Sequence, residues 1–482
     1  NKKTAVLNQS LEPLIEKILP HIDEVNGGFK GAPKFPQFYM FDAIFYFFLR
    51  TNKKEYLNPV KNLLINISAK GIYDQIIGGI ARYAVDENWI VPHFEKMLYD
   101  NIQYVDLLSK YFQFTNNSYF KEKLKQTIKF INTEFKNDEN LYGSAYDADS
   151  EGVEGKYYIW TYDELKNLLK ENLIIFEKKY TISKEGNFEG SNILIENKDY
   201  KLDDSEKEKI NILEDILIKE RSNRKKPLFD DKSQTDLNSF WLYSALQASI
   251  ILEDNDLKNS TLKTVEILKN KLTKKIYHCY ENDEVDVFLE DYVYYCLLLI
   301  SLYETEGDKE NLSLANSLMN KIWELFFNKK IELLQKNQIN NNDLFTNPVD
   351  INDNNIPNGN SVFLYICNKL YTITNDKIWL QKIEILKKSF HSLINSNFSQ
   401  MFSFIKILDI CEDNISFAFH GKQLANKEIQ TYLQKKFFGR ATFVHKEDKN
   451  NSFIIICKNH TCSDKMKTIE DIKKYLIKNS IN

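Results

Sequence analysis

Apolar residues recur every three or four positions along most of this chain, and that period admits one kind of element. In residues 7–19, Leu7, Leu11, Leu14, Ile15 and Ile18 form the single stripe of an amphipathic helix. The same spacing predicts helices over 37–49, 56–68, 93–114, 119–135, 163–169, 237–252, 257–272, 289–303, 312–327, 361–371, 379–394 and 399–410. Connections such as Glu306-Gly307-Asp308 are short enough to make sequential helices antiparallel neighbours. Hairpins in such a row close into a ring or stack into a solenoid. No fixed-period repeat of the solenoid kind is present, so a mainly α toroid is expected.

Two regions break the helical period. Residues 142–160 alternate and carry Gly143, Gly152 and Gly155, which predicts a β-hairpin inserted into the helical body. Strand-like runs at 416–419, 441–444 and 453–457 alternate with helical runs at 427–437 and 469–477. The expected division is therefore a toroid over 1–411 and a small α/β C-terminal appendage over 412–482 packed on it.

Charge and cysteine usage exclude several classes. Sixty-four basic and 68 acidic residues leave a net charge of −4, and the lysine pairs are scattered. A nucleic-acid partner, which needs a basic face, is not expected. No apolar run reaches the ~18 residues of a membrane span, and no signal peptide heads the chain, so neither a membrane nor secretion is expected. Most of the six cysteines sit singly in apolar stretches, where they act as small hydrophobes and suit a reducing cytosol. Cys457 and Cys462 flank His460 as half of a zinc-type pattern without an evident second half, and are expected to be structural thiols. Because the chain begins at Asn1 rather than Met, it is expected to continue a longer protein.

Eleven of the 15 glycines lie between Gly27 and Gly190, so loops that shape a pocket should come mainly from the first 200 residues. The segment GIYDQIIGGIARYAVDENWIVPHFEKMLYDN (71–101) runs from a glycine-rich turn into a helix, with Pro92 expected in its first turn. On such a helix His93, Lys96, Asp100 and Tyr104 share one face, and a His and an Asp so placed can act as an acid–base pair. Arg82 and Trp89 would add a cation and a flat wall. Local capping by His93 and an Asp100–Lys96 pair would account for the same residues without chemistry.

In YGSAYDADSEGVEGKYYIW (142–160), Asp147, Asp149 and Glu151 alternate and point one way in an extended segment. Three carboxylates on one side call for a cation, a basic partner or a raised pKa, and calcium is a minor alternative here. The calcium-loop pattern fails at its twelfth position, Tyr158. A charged hairpin whose acids cap tight turns fits equally. Further on, Asp231 and Lys232 precede a helix that Asp236 could cap. Glu290 and Asp291 of FLEDY (288–292) open another helix, where acids favour the macrodipole. Asn358-Gly359 of IPNGNSV (356–362) is a turn signal before a helix that Asn360 or Ser361 can cap. In a toroid such loop-to-helix junctions ring one mouth. His93, Asp147, Asp149, Asp231, Lys232, Asp291 and Asn360 would then line a cleft.

These segments, with GGFKGAPKFPQ (27–37), FLEDY, IPNGNS and CKNHTC (457–462), resemble in order and spacing the thioredoxin-domain-containing, spermatogenesis-associated protein 20-like family. The resemblance covers most of the chain. It implies an (α/α)6 toroid of six helical hairpins, six-hairpin glycosidase-like, similar to N-acylglucosamine 2-epimerases. Of the family's N-terminal thioredoxin-like domain no counterpart is expected in these residues. Its segment reading close to LTSWNGL is replaced by SQTDLNSF (233–240), which keeps Asn238.

The reading that follows is a carbohydrate-active enzyme of glycoside hydrolase or sugar 2-epimerase type. His93, Asp147, Asp149 and Asp291 are the expected catalytic groups. Asp74, Arg82, Trp89, Glu95, Lys96, Asp100, Asn101, Glu151, Asp231, Lys232, Tyr292 and Asn360 are expected to hold a sugar or sugar-like ligand, with no cofactor required. The alternatives are a non-catalytic binding or scaffold toroid and a redox-linked accessory working with a separate thioredoxin-like protein.

Overall fold

Four helical hairpins among the described residues form where the first helix ends in a left-handed residue and the second begins with a side chain that caps it. The computed structural model describes residues 10–197, 202–280, 285–339, 348–421, 427–448, 451–459 and 461–481. Its helices are α1 (Glu12–Glu16), α2 (Phe38–Thr51), α3 (Lys54–Ala69), α4 (Leu98–Thr115), α5 (Ser118–Glu134), α6 (Tyr162–Leu169), α7 (Leu173–Lys179), α8 (Asp204–Ser222), α9 (Thr235–Leu252), α10 (Asn255–Leu272), α11 (Leu289–Glu306), α12 (Lys309–Phe326), α13 (Gly359–Thr374), α14 (Lys377–Asn397), α15 (Phe402–Glu412), α16 (Lys427–Phe437) and α17 (Ile469–Lys478). The helix expected over 7–19 begins outside the described residues, and its described part is the single short helix α1 followed by a 3₁₀ turn, Leu19–His21. Among the described residues no helix is long and apolar enough to cross a membrane.

The chain divides into two units, one of residues 19–41 and 53–232, the other of 1–18, 42–52 and 233–482. In the former, α4 and α5 form a hairpin. Asn116 ends α4 with φ +49°, and the Asn117 side chain accepts the Tyr119 N–H at the start of α5. Six two-residue strands brace the loops: β1 (Tyr83–Ala84), β2 (Pro92–His93), β3 (Lys96–Met97), β4 (Ala145–Tyr146), β5 (Asp149–Ser150) and β6 (Val153–Glu154). Two more, β7 (Tyr180–Thr181) and β8 (Ile195–Glu196), pair with each other, and β9 (Phe229–Asp230) joins β3 and β4 in the order β3-β4-β9. The hairpin expected in 142–160 is present as β5–β6, turning at Glu151-Gly152.

One helical expectation fails. Pro92 and His93 lie in β2, Lys96 in β3, and helix α4 starts only at Leu98. The backbone bonds of this stretch go to other strands: Tyr83 faces His93, Lys96 faces Tyr146, and the Arg82 N–H donates to Glu95 O. Asp86 shapes the preceding turn by accepting the N–H groups of Asn88, Ile90 and Val91. Gly71 is needed there, because a Cβ would stand 1.9 Å from Ile90 O. His93, Lys96, Asp100 and Tyr104 therefore do not share a helix face.

In the other unit the same connector recurs three times. Glu253-Asp254, Gly307-Asp308 and Asn375-Asp376 each place a left-handed residue before a capping aspartate, which joins α9 to α10, α11 to α12 and α13 to α14. The first helix of each pair is buried on nearly every side: all of α11 from Asp291 to Thr305 is enclosed. The second buries one stripe, as in Asn311, Ala315, Met319, Ile322 and Phe326 of α12. Strands β10 (Phe327–Asn328) and β11 (Leu333–Leu334) form a small ladder after α12.

Beyond α15 the expected α/β pattern appears as β12 (Ile415–His420), β13 (Thr442–Lys446), β14 (Phe453–Lys458) and β15 (Thr461–Cys462), in the order β13-β12-β14-β15. Helices α16 and α17 bury Leu433, Phe437, Ile472 and Leu476 against Phe417, Phe443 and Ile456 of the sheet. The register sets Cys457 opposite Cys462, and the two form a disulfide rather than the thiols expected. His460 lies outside the described residues.

This layer is tied to the helices by a buried ion pair. Lys369 Nζ of α13 lies 2.7 Å from Glu304 of α11 and donates to Ala441 O, while Glu304 accepts the Phe443 N–H. Lys369→Met leaves Glu304 buried without a counter-charge and should cost about 3–5 kcal/mol in denaturant unfolding. Adding Glu304→Gln should recover most of that loss. A single variant with unchanged stability would show the pair to be of no consequence.

Candidate functional site

In the unit containing 233–482, three side chains meet where buried helices begin. Asp236 is in the first turn of α9, Asp291 in the first turn of α11, and His278 in the segment after α10. Their donor atoms all lie within 4.8 Å of one another. His278 Nδ1 is 3.0 and 3.1 Å from the two Asp291 oxygens. The same carboxylate accepts the N–H of Phe288 at 2.9 Å and of Asp236 at 3.3 Å. The His278 ring is placed by the Thr235 N–H on its carbonyl, by an edge contact with Phe288 at 4.8 Å, and by the Gln234 amide 3.3 Å from Nε2.

Burial and like charge decide the protonation here. Burial, then the charge of Asp291, pushes Asp236 up to about 7. Burial also raises Asp291, against the hydrogen bond from His278. Glu290, beside it on α11, is raised by burial to about 7. It accepts the Gly359 N–H through Oε1, while its buried Oε2 has no hydrogen-bond partner among the described residues. Burial opposes the charged form of His278, yet its bond to Asp291 holds it above the usual histidine value. Two carboxylates and an imidazole at this spacing would also suit a divalent cation.

Of the residues expected here, Asp291 lies in the cluster. Asn360 instead ties loops together: its amide donates to Leu334 O and Asp350 O and accepts the Leu334 N–H. Tyr292 packs edge-on against Phe326. His278 had no sequence signal, and Asp236 was expected only to cap; Gln234 holds the cap position, which frees the Asp236 side chain to face Asp291.

In the other unit the expected residues separate into a sealed set and an open set. Asp74 is buried, 2.9 Å from Lys96 Nζ and 2.8 Å from Arg221 Nη1 through each oxygen. Burial opposes its charge, but Arg221 and Lys96 hold it well below the usual carboxylate range. Lys96 is further capped by the rings of Phe130 and Tyr158 at 4.5 and 4.7 Å. Asn101 pairs both ways with the Ile80 backbone. Trp89, expected as a sugar-stacking wall, is wholly buried, with its indole N–H on Asn26 O and Lys34 over its ring. These contacts hold the loops together, and Asp74 and Lys96 also line a small cavity with Tyr158 and Arg221.

The open set keeps more freedom. Arg82 pairs with Glu95 at 3.1 Å, both partly exposed. His93 stacks on Tyr83 at 4.9 Å and bonds Glu154 at 2.8 Å through Nδ1. Asp100 is buried, and its Oδ2 has no hydrogen-bond partner among the described residues. Burial raises its pKa well above the usual value, with the Arg82 charge opposing. Asp147, Asp149 and Glu151 are exposed, alternating with buried Ala148 and Ser150 as an extended segment requires. Glu151 pairs with Lys156 at 2.7 Å. Asp231 and Lys232 are exposed, the latter 3.5 Å from Asp230.

Two expectations follow. Asp74→Asn strands two buried cations and should cost about 3–5 kcal/mol in stability, whereas Asp100→Asn should leave stability at pH 7 unchanged or higher. Equal losses in chemical denaturation would refute this contrast. Second, carboxyls with raised folded pKa values make the folded chain bind more protons than the unfolded one between about pH 4 and 7. Stability should fall as pH rises through that window. Glu290→Gln should make the fall shallower, with little change at pH 4. An unaltered pH slope would remove Glu290 from this account.

No protein-family model matches the chain. Human spermatogenesis-associated protein 20 is 25% identical over 428 residues, covering 76% of this chain and 54% of that protein. The rat protein of the same name is 26% identical, with 76% and 53% covered. The chain thus spans about half the length of these curated relatives. Among solved structures, a D-mannose isomerase superposes with a TM-score of 0.52 at 11% identity, over 85% of this chain and 99% of its own. A sugar epimerase from a ruminal bacterium gives 0.51 at 10% identity, over 84% and 96%. The chain is similar in sequence to spermatogenesis-associated protein 20, and it has the mainly helical, six-hairpin toroid fold seen in sugar epimerases and isomerases.

Proposed function

We propose that this chain is an acid–base enzyme acting on a sugar or sugar-like carbonyl compound, and that Asp236, His278 and Asp291 do the chemistry. The observation that carries the reading is the approach of their ligand atoms to within 4.8 Å of one another, with Asp291 buried and the other two partly buried. Hydrolysis of a glycosidic bond uses two carboxyls about 5–10 Å apart with the bond between them. A histidine held beside the two acids supplies the base that proton transfer at a carbon beside a carbonyl needs, so epimerisation or isomerisation is the reading favoured here. Asp291 orients His278 through Nδ1, and Nε2, 3.3 Å from the Gln234 amide, takes the proton once a substrate displaces that amide. Asp236, at about 7, is poised to donate one near neutral pH. The sugar-processing names of the structural neighbours support the substrate class by fold likeness alone.

The test is solvent deuterium incorporation next to the carbonyl of aldoses, ketoses and reducing disaccharides, followed by proton NMR. Wild type should label one sugar class. Asp291→Asn and His278→Gln should lose at least about 100-fold in rate while keeping their far-UV spectra. Full activity in either folded variant would sink the assignment. Chelation should leave the rate unchanged if protons, rather than a metal, carry the step.

The buried Asp100, whose Oδ2 has no hydrogen-bond partner among the described residues, favours a second reading, ligand binding without turnover. A sugar that raises the thermal midpoint but gains no deuterium would support it.

A further inference from the structure

The C-terminal sheet carries a cysteine pair that the proposed chemistry does not use. Cys457 on β14 and Cys462 on β15 are direct cross-strand partners with Cα atoms 4.0 Å apart, and they are disulfide-bonded. Cys462 and its neighbour Thr461 are exposed, and Cys457 is half-buried. The other four cysteines are set apart: Cys279, Cys296 and Cys367 are buried and Cys411 is half-buried.

The bond bears little of the fold. It closes a loop of only five residues' separation, where a cross-link constrains the unfolded chain least. Neither cysteine belongs to the apolar cluster beneath the sheet. The segment after Cys462 is held independently: Ser463 exchanges bonds with Ile456, and Met466 exchanges both backbone bonds with Ile454 and is itself buried in that cluster. Opening the disulfide would leave β15 held by its backbone pairing with β14 and the rest of the sheet unchanged.

From this placement we infer that Cys457–Cys462 is a reversible thiol–disulfide exchange site for a soluble thiol or dithiol. An exposed bond without structural load is the kind that exchanges. The incoming thiolate attacks the accessible Sγ of Cys462. The S–S bond breaks, and Cys457 leaves as the thiolate and is protonated. A second thiolate from the reductant resolves the mixed disulfide and frees Cys462. Two electrons and two protons end on the chain, and the reductant leaves as its own disulfide.

The experiment equilibrates the folded chain in glutathione buffers from fully oxidised to fully reduced, quenches with acid, alkylates, and maps the adducts by mass spectrometry. Two adducts should appear together at Cys457 and Cys462 as the buffer becomes reducing, while Cys279, Cys296 and Cys367 stay unmodified until denaturant is added. The far-UV spectrum should not change across the series. A double Cys457→Ser, Cys462→Ser variant should keep its thermal midpoint within a few degrees. The inference is overturned if the pair alkylates only after denaturation, if it alkylates even in the fully oxidised buffer, or if the double variant does not fold.

Discussion

Burying a helix on every side leaves the donors of its first turn without water, and the protein must bring polar groups to meet them. Helices α9, α11 and α13 are buried in this way along nearly their whole length. The partner at the start of α11 is its own Asp291, which takes the N–H groups of Phe288 and Asp236. A carboxylate placed for that duty sits in a poorly solvated spot beside a second one. The acid–base cluster is thus a consequence of how the helices are packed, not an addition to it.

The two units meet the cost of buried charge differently. Around Asp74 the cations Lys96 and Arg221 close the site and keep it ionised. Around Asp236 and Asp291 one half-buried imidazole faces two acids, so the acids resist ionisation. A fully compensated network is rigid and inert, whereas an undercompensated one exchanges protons near neutral pH. That difference separates residues that hold the loops from residues suited to chemistry, although both are buried aspartates near glycine- or helix-rich junctions.

The hairpins were legible because their signals are local. A left-handed residue followed by an Asp or Asn cap, at 116–117, 253–254, 307–308 and 375–376, needs nothing beyond neighbouring residues to act. The strands of the C-terminal layer were legible for the same reason, as short apolar runs. The segment 92–97 was misread because its helical spacing was overridden by pairing with residues 83 and 146, which lie far away in sequence. Trp89 was misread because exposure is not written in a residue's type. His278 carried no signal at all: it lies in irregular chain, and only the fold brings Asp291 to it. Cys457 and Cys462 were read as separate thiols because their pairing depends on a two-residue strand that propensity does not announce.

What the sequence determined by itself is therefore the set of elements and their order: amphipathic and fully apolar helices, the caps that end them, the turns between them and the α/β run at the end. Short-range interactions decide these, since a cap or an apolar stripe works wherever the helix is placed. What only the tertiary structure decided is which polar side chains lose their water and which partners they find. That choice set Asp74 against two cations, left Asp100 Oδ2 without a hydrogen-bond partner among the described residues, and joined Asp236, His278 and Asp291. Desolvation and charge pairing depend on distances across the fold, and those distances exist only once the helices have packed.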